Sequence, residues 1–296
     1  MKNFFEDNLG ICVTRQLSTM DFLHAFVTKK VADMCFVSLK TRETGYIFPL
    51  YLYQQKDKPK KRSFGSTMML FEPQAEYTAK KPNLSPALVE KLTKEYKKSF
   101  IHDSSFLRKQ ESREKDMDSR FHGNDKQYIT PEQIFYYIYA ILYSNTYRTK
   151  YAEFLKIDFP RIPFTKDYKL FKKMAGYGER LIELHLLKTS EIDTPVAKFQ
   201  GKGNDKVEKL KYEKGNLFIN KEQYFEGILP EVWEYRIGGY QVLDKWLKDR
   251  KDRVLSLDDI KHYCGIVAVL KKTIEIQAQI DNVYPGIEKE IIEFHQ

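Results

Sequence analysis

Residues 131–143, PEQIFYYIYAILY, limit the possible folds more than any other stretch. Thr130 and Gln133 have capping-box spacing and Pro131 occupies the first turn, so a helix starts here. Ile134, Ile138, Ile141 and Leu142 follow at helical spacing and define a buried stripe. Phe135 and four tyrosines surround that stripe, so the helix is apolar nearly all round and belongs in the middle of a fold. Ile134 to Tyr143 is also the longest apolar run in the chain; it falls far short of the roughly 20 residues needed to cross a bilayer. The start, MKNFFEDNLG, carries acids where a secretory signal needs an apolar stretch. The expectation is therefore a cytoplasmic protein without a membrane partner.

Around this helix the sequence implies an α+β fold. The N-terminal part reads as a mostly antiparallel β lobe over residues 1–100, with strands at Leu9–Arg15, Ala25–Thr28, Met34–Leu39 and Tyr46–Tyr53. That lobe has one helix, starting at Ser85-Pro86. Residues 101–127 have little apolar content and no periodicity. They resemble a translated bacterial palindromic repeat element and are expected to form a disordered surface insertion. Residues 128–296 read as a helical lobe with an inserted β-hairpin near 207–220, turning at Glu213-Lys214-Gly215-Asn216. Within it, helices are expected over Tyr147–Leu155, Tyr168–Leu187 and Gln241–Arg250. A last long helix begins at Ser256, where Asp259 completes a capping box.

A search for chemistry returns mostly absences. There is no GxxxxGK[ST] phosphate loop and no GxSxG elbow. Phe199-Gln-Gly201-Lys-Gly203 matches FxGxG, but a lysine-rich hairpin follows it and no Pro-Pro pair exists anywhere in the chain, so it reads as a flexible turn. Asp167-Tyr168-Lys169 and Glu95-Tyr96-Lys97 are fragments of a nuclease pattern that lack a convincing upstream partner acid on a strand. Cys12, Cys35 and Cys264 lie far apart, as buried thiols do. No catalytic, cofactor-binding or metal-binding residue is therefore expected.

What remains is positive charge. Lys and Arg number 50 against 41 acids, and the surplus is clustered. Residues 54–62 carry five bases and one acid, residues 146–173 eight and three, residues 198–214 six and three, and residues 240–253 five and three. Basic loops on an aromatic-rich scaffold suit contacts with nucleic-acid phosphates. The candidate DNA-binding residues are Lys58, Lys60, Lys61, Arg62, Arg148, Lys150, Arg161, Lys245, Lys248, Arg250, Lys251 and Arg253.

Three phrases in order carry a resemblance: Phe48-Pro-Leu-Tyr-Leu-Tyr53; Ile134 to Ala140 running on through Tyr151-Ala-Glu-Phe-Leu-Lys-Ile-Asp-Phe-Pro-Arg-Ile-Pro163; and Ile237-Gly-Gly-Tyr-Gln-Val-Leu-Asp-Lys-Trp-Leu-Lys-Asp-Arg250 with Leu255 to Tyr263. From about Leu9 to Asp281, the insertion excepted, the chain resembles the C-terminal specificity domain of type ISP restriction-modification enzymes and related adenine-specific DNA methyltransferases. The resemblance implies recognition of a double-stranded DNA sequence on behalf of methyltransferase, helicase and nuclease portions absent from this chain. S-adenosylmethionine, ATP and Mg would act only in those portions. Beginning at its own Met1, the chain would be a split subunit, a gene remnant or an excised domain. A divergent methyltransferase or nuclease with its own active site is the alternative, and a purely structural docking domain is a third reading.

Overall fold

The computed structural model describes residues 8–18, 21–32, 43–55, 77–102, 128–189, 192 and 196–294. The expected strand Met34–Leu39, nearly all of the expected insertion and the basic residues Lys58, Lys60, Lys61 and Arg62 lie outside the described residues. The architecture is mixed α+β, with strands and small sheets early in the chain and a helical region with further hairpins after them. The chain forms two compact units, Met1–Gly10 with Lys29–Val31 and Phe48–Glu132, and Ile11–Thr28 with Ala32–Ile47 and Gln133–Gln296. Neither unit is one continuous stretch of chain.

The expected strand Tyr46–Tyr53 is two strands, β3 (Gly45–Pro49) and β4 (Tyr51–Gln55). They part at Leu50, whose side chain is buried and whose N–H donates to Leu9 O. In the first unit β4 pairs antiparallel with β5 (Tyr77–Pro82). The Asn8 side chain brackets Tyr51, donating to its carbonyl at 2.8 Å and accepting from its N–H at 3.2 Å. Helix α1 (Pro86–Tyr96) starts after Ser85 as expected, though the Ser85 hydroxyl makes no capping bond. It buries Leu92 and Tyr96 and ends on Lys97, which takes the left-handed conformation. Strand β6 (Ser99–Phe100) then pairs parallel with β7 (Tyr128–Ile129).

Strand β1 (Gly10–Thr14), all but its first residue in the second unit, lies between β2 (Phe26–Thr28) and β3. As the central strand it is buried along its whole length. The apolar helix is α2 (Pro131–Tyr143). Its burial goes beyond the expected stripe: Tyr137 and Tyr139 are fully buried, while Ile138 is only half-buried. A buried tyrosine needs a partner for its hydroxyl. Tyr137 donates to Pro163 O at 2.7 Å and Tyr143 to Ala25 O at 2.8 Å, and the Tyr139 hydroxyl lies 2.8 Å from His185 Nδ1.

The single helix expected over Tyr147–Leu155 is broken in two, α3 (Asn145–Lys150) and α4 (Ala152–Ile157). No glycine or proline marks the break. Tertiary contacts hold it, since Tyr147 donates to Arg161 O and Tyr151 to Glu288 Oε1. Helix α5 (Tyr168–His185) is capped by Asp167, whose Oδ1 accepts the N–H of Lys169 at 2.7 Å. Asp167-Tyr168-Lys169 is thus a helix start, and Glu95-Tyr96-Lys97 a helix end. The last helix, α8 (Leu257–Ile287), carries the expected Ser256–Asp259 capping box. At 31 residues it is roughly 46 Å long. Its C-terminal half packs on α5 and α3, and its N-terminal half enters the layer that bears the candidate site.

Candidate nucleic-acid interface

That layer is a small α+β module within the second unit. Its sheet has the order β8 (Lys198–Gln200), β11 (Tyr224–Glu226), β10 (Asn216–Phe218), β9 (Lys211–Glu213). Strands β9 and β10 form the expected hairpin, with Asn216 opposite Glu213. Its turn residues Lys214 and Gly215 both have positive φ, 48° and 84°, the geometry that matches the twist of a two-residue hairpin. Against the sheet pack α6 (Pro230–Trp233), α7 (Val242–Lys248) and the start of α8. Phe225 is the centre of the core, 4.8 Å from the Phe199 ring and 4.4 Å from that of Tyr263. Between α6 and α7, β12 (Arg236–Ile237) and β13 (Tyr240–Gln241) form a second hairpin, with Gly238 at φ 58° in its turn.

The FxGxG stretch is a turn, but a fixed one. Gly201 has φ 97°, and a Cβ there would sit 2.1 Å from Glu222 O. A Cβ on Gly203 would meet Gln223 Oε1 at 2.6 Å. Gly201 makes room for the Glu222–Gln223 backbone and Gly203 for the Gln223 side chain, which is buried and clamps the following loop. Its Oε1 accepts from the Asp205 N–H at 2.8 Å, and its Nε2 donates to Asp205 Oδ1 at 2.6 Å.

The clamped loop then zips onto a distant part of the chain. Val207 N–H donates to Arg253 O, Asp252 N–H to Val207 O, and Leu255 N–H to Asp205 O, all at 2.8–2.9 Å. Lys206 and Val254 form an antiparallel bridge. These bonds join the basic run 198–214 to the basic run 240–253 at residues 205–207 and 252–255, although the two runs are separate in sequence. Together they hold eleven bases against six acids. Among the described residues, exposed Lys202, Lys209, Lys251 and Arg253 have no ion-pair partner, while Lys206 sits 4.0 Å from Asp252. Sequence reasoning alone does not single out Lys202 and Lys209. The charge of their run is legible, but nothing local distinguishes it from a solvated face.

The other described candidates divide by surroundings. Arg148 is a correction, for it is buried at 7% exposure. Its Nε donates to Leu142 O at 2.6 Å and its guanidinium lies 4.8 Å from the centre of the Tyr143 ring. It sits inside the protein because α3 turns this face inward. Arg250 is half-buried, stacked 3.5 Å over Trp246, and bonds to Trp246 O and Asp259. Lys245 pairs with Asp249 one turn along α7, Lys248 with Asp244 at 2.7 Å, and Lys150 with Glu288 at 2.5 Å. Arg161 is exposed in the loop before α5. Of the described candidates, only Lys251 and Arg253 lie in the zipped turn itself.

Nothing among the described residues gathers three or more His, Cys, Asp or Glu side chains in a metal-binding arrangement. Cys12 is buried, and burial pushes its thiol up to about 12, far from a reactive thiolate. No described helix is long and apolar enough to cross a membrane.

The family model for the Type ISP C-terminal specificity domain matches residues 1–279. The chain belongs to that family. No curated protein matches this chain in sequence. Solved structures that share its fold include three that each align over 93% of this chain. A nuclease-deletion mutant of the Type ISP restriction-modification enzyme LlaGI in complex with a DNA substrate mimic gives a TM-score of 0.54 at 16% identity. The ATP-dependent Type ISP restriction-modification enzyme LlaBIII bound to DNA gives 0.58 at 18%. The DrdV–DNA complex gives 0.59, also at 18%. This chain spans 21%, 16% and 24% of those three chains, so the specificity domain matches a minor part of each.

Proposed function

We propose that this specificity domain recognises a sequence in double-stranded DNA and so directs adenine methylation and cleavage by the catalytic portions of a type ISP-like enzyme in the cytosol. On this reading the chain has no catalytic site. S-adenosylmethionine, ATP and Mg serve the methyltransferase, helicase and nuclease portions alone. The observation that carries the proposal is the zipping of two basic runs into one surface, with cations left unpaired, in a chain of this family. That these three structures of similar fold hold DNA or a DNA substrate mimic supports the same reading.

Each phosphate neutralised by a cation releases condensed counterions, which makes the affinity salt-dependent. The 296-residue chain is expected to bind duplex DNA weakly, with log K falling linearly as log salt rises. Replacing Lys202, Lys209, Lys251 and Arg253 by alanine should flatten that slope by about 0.9 for each phosphate that is no longer neutralised. Fluorescence anisotropy of a labelled duplex over a salt series measures both. A slope unchanged by the fourfold substitution would move the interface elsewhere, and binding indifferent to salt would defeat the proposal. Methyl transfer to DNA by the purified chain alone would favour an enzyme.

A further inference from the structure

Between the zipped turn and α8 the chain exposes two large apolar side chains, Val254 at 64% and Leu257 at 76%. They are not on a loose loop. Leu255 between them is buried in the module core, and its N–H is held by Asp205 O. The bridge to Lys206 fixes Val254. The mutual bonds of Ser256 and Asp259 fix the backbone just before Leu257. Anchored on both sides, the backbone holds both side chains out in water.

Their surroundings are mostly cationic. Lys251 and Arg253 precede them without ion-pair partners, and exposed Lys261 lies one helical turn beyond Leu257. Of the nearby acids, Asp252 faces Lys206 and Asp259 is tied to Ser256 and Arg250, while Asp258 is exposed. A rigid apolar pair beside unpaired cations matches a nucleic-acid groove, where phosphates line the rim and thymine methyls, sugars and base edges lie inside.

We propose that Val254 and Leu257 are apolar readers of DNA sequence: they enter a groove and contact bases while Lys251 and Arg253 hold the flanking phosphates. This rests on the DNA-binding reading above and assigns roles within it. The test selects bound molecules from a pool of random-sequence duplexes with the full chain, with Val254→Ser/Leu257→Ser and with Lys251→Ala/Arg253→Ala, and sequences them. The salt slope on one fixed duplex is measured alongside. Because both apolar side chains are exposed, the first variant should melt with the wild type. It should keep the wild-type salt slope and lose about tenfold in enrichment at one or more base positions. The basic variant should weaken on all sequences and lose about two units of slope.

If Val254→Ser/Leu257→Ser enriches the same sequences as strongly as the wild type, the pair does not read bases and the inference falls. Wild-type binding that enriches no sequence would overturn the inference too, yet leave DNA binding standing. No DNA binding by the wild type would sink the underlying reading itself.

Discussion

Gly178→Ala should destabilise the second unit by more than about 3 kcal/mol, a large share of the roughly 5–15 kcal/mol typical of a folded domain. A Cβ at this position of α5 would lie 1.8 Å from the carbonyl oxygen of Tyr136 on α2 and 2.6 Å from the carbonyl carbon. Both atoms are backbone, so no rotamer change relieves the clash. The two helices would have to move apart, and the stacked rings of Tyr137 and Phe171, 5.0 Å between centroids, bridge the gap that would open. Gly176, two residues earlier on the same helix, is the control. It is exposed and a Cβ there meets nothing within 4 Å. Gly176→Ala should stabilise by about 0.5–1 kcal/mol through the lower entropy of the unfolded chain and better helix propensity. Urea unfolding of both variants checks the pair. A Gly178→Ala midpoint equal to the wild type would mean that α2 and α5 do not approach this closely.

Acidification from about pH 7 to 4 should cost the protein stability before most carboxylates titrate. His24 and His185 are both held down to about 4, chiefly by burial. For His24 the nearby Glu43 opposes this effect and Arg148 adds to it, and Arg148 also depresses His185. The hydrogen bonds decide the form of His185. Thr273 Oγ1 donates its proton to Val269 O at 2.8 Å, so at 3.0 Å from His185 Nε2 it must accept, and Nε2 carries the hydrogen. Nδ1 is then bare and accepts from the Tyr139 hydroxyl. A second proton would have to displace that bond.

Both folded-state values lie below the ordinary 6.5, so between 6.5 and 4 the unfolded chain binds more protons than the folded one. Stability from these groups is complete above about pH 6.5 and is lost as pH falls towards 4. The loss is at most roughly 3 kcal/mol per histidine. The thermal midpoint should therefore drop across this window, and His24→Gln and His185→Gln should each flatten the drop. A midpoint unchanged between about pH 7 and 5 would refute the assignment.

Much of the helical framework is legible because its signals are local. Pro131 at the first turn, the Ser256–Asp259 box and the Lys214-Gly215 turn each act through bonds or dihedrals within a few residues, and each is where the pattern puts it. Legibility fails where a distant partner decides. Nothing in Thr-Lys-Tyr-Ala marks a break between α3 and α4, which depends on Arg161 and Glu288. Arg148 looks like any basic residue of a charged stretch, and only its surroundings in the fold, Leu142 O and the Tyr143 ring, show that it belongs to the core.

By itself the sequence determined the α+β class, the family and an excess of positive charge, because periodicity, phrases and composition need no knowledge of what lies opposite. Tertiary structure alone decided which charges form a surface. The 198–214 and 240–253 runs meet only because Asp205 and Val207 bond to Asp252, Arg253 and Leu255, and those bonds exist only once the intervening sheet has folded and closed the loop between them.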